Sequence, residues 1–158
     1  MQPRGLIATA RQLVGRGKRG QPRQSNLKRA LSTAYYAMFH ALCRNCADAL
    51  IGTAGANRSQ PAWNQAYRAV EHGYVRIQCE KSSVIVNFPR ALQDFGNKFM
   101  DLQRKRKLAD YDPGYRVNRS EALIEIDVAE NMIRLLMASD IKHKRAFAVW
   151  VTMKNRVN

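Results

Sequence analysis

The amino-acid sequence predicts an all-α protein built as a helical bundle. Residues 25–52 (SNLKRALSTAYYAMFHALCRNCADALIG) are apolar around much of a helical circumference. Leu27, Leu31, Ala34, Tyr35, Met38, Leu42, Cys46, Ala49 and Leu50 recur at steps of three and four. Phe39 and Cys43 form a second apolar line, and Tyr36 a third. A helix apolar on so many sides is normally buried on several, so this one belongs at the centre. Four long segments carry helical periodicity, and no convincing pair of strands accompanies them.

A chain of 158 residues suits a single domain, with a short helix and basic loop over 1–24 and the bundle core over 25–158. Hydrophobic residues make up 46%, too many for a disordered chain. No apolar run approaches the length that spans a bilayer, and no signal-peptide core follows the start. The three cysteines are odd in number and lack disulfide-framework spacing. A reduced, cytoplasmic setting away from membranes is therefore expected. Lys and Arg total 27 against 12 Asp and Glu, a balance of +15. Such a surface attracts polyanions, which makes nucleic acid the first partner to consider; a solvated basic surface is the plain alternative.

In chain order, residues 3–14 suit a short helix with Leu6, Ala10 and Leu13 on one side. A turn-forming basic segment follows, carrying Arg16, Lys18, Arg19 and Arg23. Ser25 can cap the central helix, and Gly52 suits the left-handed residue that ends it. Ser59 then caps a helix with Pro61 in its first turn and Trp63, Ala66, Tyr67 and Val70 on one face. The run SSVIVNF (82–88) has the β-branched content of a strand but no partner, so a buried connector is expected.

Pro89 suits the first turn of the next helix, whose narrow apolar stripe is Leu92, Phe95, Phe99 and Leu102. One further step on that stripe is Arg106, whereas Arg104 points well away. An arginine on an inward line needs a partner, because an unpaired buried charge is costly. The cations 104–107 suit a helix C-terminus, and Asp112-Pro113-Gly114 is a turn signal. Asn118 and Glu121 make a capping pair for the following helix. Its two apolar stripes are Ala122, Ile126, Ala129, Ile133 and Leu136, and Ile124, Val128, Met132 and Leu135. Ser139-Asp140 can cap a last helix, which places Lys142, His143, Lys144 and Arg145 near a helix start, where the dipole disfavours cations. Either the helices run on with a kink, or those cations face an anionic partner.

His40, Cys43 and Cys46 stand three apart, and Cys79 could complete a zinc ligand set. Both helical cysteines also fall on the apolar faces, and the core reading is preferred. No phosphate-binding glycine loop of known spacing is present, and no cofactor or metal is expected. Asp110 and Asp112 follow four cations, so local ion pairing is their expected use. Arg106 and Tyr111 lie about one and a half turns apart, where a guanidinium can hold a phosphodiester and stabilise charge during its transfer. From spacing alone, an arginine capping carbonyls or pairing with Asp110, with a tyrosine closing the turn, is the preferred reading.

STAYYAMFHAL on the central helix and RKLADYDP about seventy residues later together resemble the HEPN family (higher eukaryotes and prokaryotes nucleotide-binding). The resemblance runs from Leu27 to the last helix. It implies an up-and-down helical bundle, a homodimer with its active groove at the dimer interface, and metal-independent ribonuclease activity of toxin–antitoxin or antiphage type. It also implies an antitoxin or nucleotidyltransferase as a partner. The family motif is Arg, four to six residues, then His. Its Arg maps to Arg106, and Tyr111 stands where the His is expected, as in a variant pattern of the family. A phenol, with an ordinary pKa of about 10, is a poor general base at neutral pH. The resemblance thus makes Arg106 the phosphate-binding residue, with Tyr111 or Asp110 assisting attack by the 2′-hydroxyl. Arg104, Lys105, Lys107, Lys142, Lys144 and Arg145 are the expected RNA-binding cations. A non-catalytic HEPN module binding RNA, a nucleotide or a protein through the same basic groove is the alternative.

Overall fold

The computed structural model describes residues 2–15, 20 and 22–156, so Arg16, Lys18 and Arg19 of the expected basic loop lie outside the described residues. The regular structure is helical, as the periodicity requires. In order it comprises α1 (Pro3–Val14), α2 (Gln24–Ile51), a 3-10 turn (Gly55–Asn57), α3 (Gln60–Arg68) and α4 (His72–Glu80). A short α5 (Ser82–Ile85) precedes α6 (Arg90–Tyr111), α7 (Arg119–Ala138) and α8 (Ile141–Thr152). No strand occurs among the described residues, and none of the helices is long and apolar enough to cross a membrane. Two compact units divide the chain: Met1–His40 with Lys98–Arg134, and Ala41–Asn97 with Leu135–Asn158.

In the first unit α2 and α6 run antiparallel, because partners rise in number along one helix as they fall along the other. The Ser32 hydroxyl meets Asp110, and the Tyr35 ring and hydroxyl meet Phe99 and Gln103. Leu27, Leu31, Ala34, Tyr35 and Met38 of α2 are buried, as are Phe99 and Leu102 of α6 and Ala122, Ile126 and Ala129 of α7. Helix α1 buries Pro3, Ile7, Ala10 and Val14. The expected face of Leu6, Ala10 and Leu13 is therefore rotated, leaving Leu6 and Leu13 half-buried at its edges. Arg11 of α1 pairs with both Asp127 and Glu130 of α7. Helix α2 begins at Gln24, so Ser25 lies inside it and not at its cap. Gln24 exchanges two hydrogen bonds with the Val117 backbone, at 2.6 and 3.1 Å, and so ties the start of α2 to the strand-free linker before α7. The Asn118 side chain caps α7 by accepting from the Glu121 N–H at 2.8 Å.

In the second unit Phe147 packs edge-on against Phe88 and Phe95. Leu42, Cys43, Cys46 and Ala49 continue the buried faces of α2. Gly52 ends that helix at φ +116°, a conformation that glycine tolerates, and its N–H reaches the Asp48 carbonyl at 2.9 Å. Ser59 caps α3 as expected, through the Ala62 N–H. Trp63 donates its indole N–H to Asp48 at 2.9 Å while the Arg58 guanidinium lies 4.7 Å over its ring. Gly96 permits close packing of α4 on α6: a Cβ there would stand 3.2 Å from the Cys79 sulfur.

The expectation of a buried connector at 82–88 is corrected. Ser82–Ile85 is helical and turns follow it, with Val84 and Ile85 bonding back to the Lys81 carbonyl and Phe88 to Ile85. A lone strand would leave those backbone groups unpaired, whereas a helical turn satisfies them locally. Ile85 is buried but Val86 is exposed. Two smaller corrections concern caps. Pro89 precedes the first turn of α6, its carbonyl accepting from Leu92 and Gln93. Asp140 occupies the cap position of α8 without a side-chain cap bond, and the Ser139 hydroxyl bonds back to the Leu135 carbonyl.

Candidate functional site

The last two turns of α6 gather most of the expected site residues. The helix continues to Tyr111, so the cations 104–107 lie one turn before its end and Tyr111 is its last residue. Arg106 follows Phe99 and Leu102 on the inward line, and its side chain is only 17% exposed. The partner that such a charge needs is threefold. The guanidinium carbon lies 5.6 Å from the Tyr35 ring centroid and 5.2 Å from that of Tyr36. Its Nε donates to Asp110 at 3.1 Å, one turn on along α6. Aromatic faces attract a guanidinium without consuming all its donors, so this seat holds the charge and leaves N–H groups for a ligand.

Asp110 is fixed from the other side by the Ser32 hydroxyl at 2.7 Å. Local ion pairing, expected for Asp110, is thus what it does. Asp112 instead shapes the turn, accepting the Gly114 N–H at 2.9 Å, while the Lys28 ammonium donates to the Asp112 carbonyl at 3.2 Å. Arg104, Arg106, Lys107, Leu108, Tyr111 and Asp112 line one open hollow of about 470 Å³. Three cations against one carboxylate give its wall a positive balance suited to phosphate. Arg104 faces outward, 62% exposed, with a 3.1 Å contact to Asp101. Tyr111 is 77% exposed. Arg106 and Tyr111 therefore share a hollow, with the arginine in its wall and the phenol at its rim.

The remaining cations are placed differently. Lys105 turns inward and pairs with Glu125 at 2.7 Å and Asp101 at 3.1 Å. Lys98 pairs with the same two acids. Burial lowers the Lys105 pKa, but bonds to Glu125 and Asp101 outweigh it and hold the value above the ordinary one. Burial likewise raises that of Asp101, but Lys98 and Lys105 bring it below normal. Near the start of α8, the Lys144 ammonium donates to the Met137 carbonyl at 3.2 Å and the Arg145 Nε to the Ala49 carbonyl at 3.3 Å. Both acceptors lie in the last turns of preceding helices, where unpaired carbonyls carry negative partial charge. The C-termini of α7 and α2 receive those two residues. Lys142 is exposed.

Cys43, Cys46 and Cys79 are all buried. Burial pushes the thiols of Cys43 and Cys79 up to about 12 and that of Cys46 higher still. Among the described residues no group of three or more His, Cys, Asp or Glu is placed to hold a metal ion. These thiols are core residues, as preferred from the sequence.

No family model, curated protein or solved structure matches this chain.

Sequence reasoning missed Ser32, Tyr35 and Tyr36 as the holders of Arg106, and Glu125 as the acid that receives Lys98 and Lys105. Tyr35 and Tyr36 were read only as members of apolar helix lines and Ser32 only as part of a motif, and their meeting with α6 depends on tertiary structure. Glu125 had a signal: it lies three residues after buried Ala122 and four before buried Ala129, and so on the inward side of α7.

Proposed function

We propose that this chain is a HEPN-type RNA-binding protein that cleaves RNA without a metal, with Arg106 as the residue that holds the scissile phosphate. One observation carries the reading: the guanidinium is seated on the faces of Tyr35 and Tyr36 in the wall of a cationic hollow. There it can bind two phosphate oxygens and stabilise the added negative charge as the 2′-hydroxyl attacks phosphorus and the 5′ oxygen leaves. Asp110, whose carboxylate accepts from the Arg106 Nε at 3.1 Å, is the proposed acceptor of that hydroxyl's proton. The products would be a 2′,3′-cyclic phosphate and a free 5′-hydroxyl. The resemblance in STAYYAMFHAL and RKLADYDP supports the same reading, and with it a homodimer and an antitoxin or nucleotidyltransferase partner.

A second reading, a non-catalytic HEPN module binding RNA through the same hollow, draws on a different observation. The residues lining the hollow include no histidine, and Asp110 already engages Arg106. Incubating the purified protein with total cellular RNA in EDTA separates the two. Cleavage that Arg106→Ala abolishes supports the ribonuclease. RNA that is bound but left intact supports the module, and RNA neither bound nor cut contradicts both.

A further inference from the structure

Arg104, Lys107, Leu108 and Tyr111 stand at steps of three, four and seven along α6 and so share one stripe of that helix. The stripe supplies four of the six residues that line the hollow. Tyr111 ends it at 77% exposure, in contrast to Tyr35 and Phe99 of the same unit, which are wholly buried. An aromatic face left in water has a large apolar area still to cover. The backbone beneath it is anchored. The Asp112 N–H bonds the Leu108 carbonyl at 2.9 Å, the Asp112 carboxylate takes the Gly114 N–H, and Lys28 holds the Asp112 carbonyl. The ring therefore projects from a fixed helix end. At about 1.5 Å per residue, Lys107 and Arg104 follow it at about 6 and 10 Å along the axis. Both cations therefore lie on the same side of the ring, at distances suited to the phosphates that run on from a base resting on it.

We propose that Tyr111 is a stacking platform for an unpaired nucleobase, so that the ligand of this hollow is single-stranded RNA and not duplex. The inference rests on the phosphate-binding reading of Arg106 given above. Cations alone serve single and double strands alike. An exposed ring does not: in a duplex the base faces are covered by neighbouring bases, whereas a single strand can lay one on an aromatic side chain. The ring, and not its hydroxyl, is what the platform uses. This separates it from a role for Tyr111 in proton transfer or in orienting the attacking hydroxyl.

The test is fluorescence anisotropy with the full chain at one salt concentration and three probes: oligouridine, the oligouridine–oligoadenosine duplex, and inorganic polyphosphate. Cleavage is suppressed by 2′-methoxy substitution of the RNA. The wild type should prefer the single strand to the duplex. Tyr111→Ala should weaken oligouridine binding by about tenfold, the effect of losing one stacked base. Its affinity for duplex and polyphosphate should stay within twofold, and Tyr111→Phe should bind oligouridine as the wild type does. The platform is overturned if Tyr111→Ala leaves oligouridine affinity unchanged, if it weakens all three probes alike, or if Tyr111→Phe is as weak as Tyr111→Ala. Arg106→Ala isolates the underlying reading: it should weaken all three probes, and unchanged binding to all three overturns the phosphate site itself. Circular dichroism of each variant confirms that the helices persist.

Discussion

Asp110 joins Ser32 to Arg106: one carboxylate oxygen accepts from the Ser32 hydroxyl at 2.7 Å and the other from the Arg106 Nε at 3.1 Å. The same carboxylate thus aims the guanidinium and competes with any phosphate for it. Asp110→Asn should separate these effects. Losing the negative charge beside the phosphate should tighten RNA binding by roughly fivefold, on the order of 1 kcal/mol at a partly exposed site. Losing the proton acceptor should slow cleavage at saturating RNA. Weaker binding by the asparagine variant would show that the carboxylate serves only to position Arg106.

Glu125 is the most deeply buried acid of the Lys98–Asp101–Lys105 cluster. Glu125→Gln leaves two part-buried ammonium groups sharing Asp101 alone. It should lower the stability of the fold by about 3 kcal/mol, since breaking one side of a buried ion pair strands the other. Urea denaturation measures this directly, and a loss below about 1 kcal/mol would mean that the cluster behaves like exposed surface pairs.

Asp101 gives this cluster a pH signature. Its pKa is held below the ordinary 3.8, so its pairing adds stability above that value and loses it as pH falls through the lowered one. The stability difference between wild type and Asp101→Asn should therefore be constant near neutrality and shrink only in strong acid. A difference already vanishing at pH 6 would contradict the pairing with Lys98 and Lys105.

The three thiols should be silent. With Cys43 and Cys79 pushed up to about 12, the thiolate fraction at pH 8 is on the order of one in ten thousand, before access is considered. A disulfide reagent should label none of the cysteines rapidly in the folded protein and all three in denaturant. Fast labelling of any one would place it outside the core.

The bundle was legible in the sequence because burial repeats along a helix: the apolar lines of α2 and the Leu92–Leu102 stripe of α6 are read by counting residues. Arg106 was legible for the same reason, as a charge in register with Phe99 and Leu102. Its seat was not, because the α2 rings reach it only once α2 and α6 lie antiparallel. Local sequence also misjudged 82–88 as a buried connector: its backbone is satisfied by a short helical turn along the chain itself, which leaves Val86 exposed. Lys105 and Arg145 show the limit for charge. A run of cations reads as one surface, yet neighbours 100° apart on a helix face different partners. Glu125 takes Lys105, and the α2 carbonyl end takes Arg145.

The exposed members of the stripe should account for the salt dependence of binding. Arg104→Gln with Lys107→Gln should flatten the plot of log affinity against log salt by about 1 to 2 units on single-stranded RNA. Lys144→Gln should leave the slope nearly unchanged, since its ammonium is held by the Met137 carbonyl. The reverse order would move the RNA path from α6 to α8.

The most direct test of Arg106 is end-group analysis of a defined single-stranded RNA, incubated with the protein in EDTA and read by mass spectrometry. The wild type should yield 2′,3′-cyclic phosphate and 5′-hydroxyl ends, with none from Arg106→Ala at equal RNA saturation. Intact RNA from the wild type, or undiminished cleavage by Arg106→Ala, would contradict Arg106 as the centre of a metal-independent cleavage site.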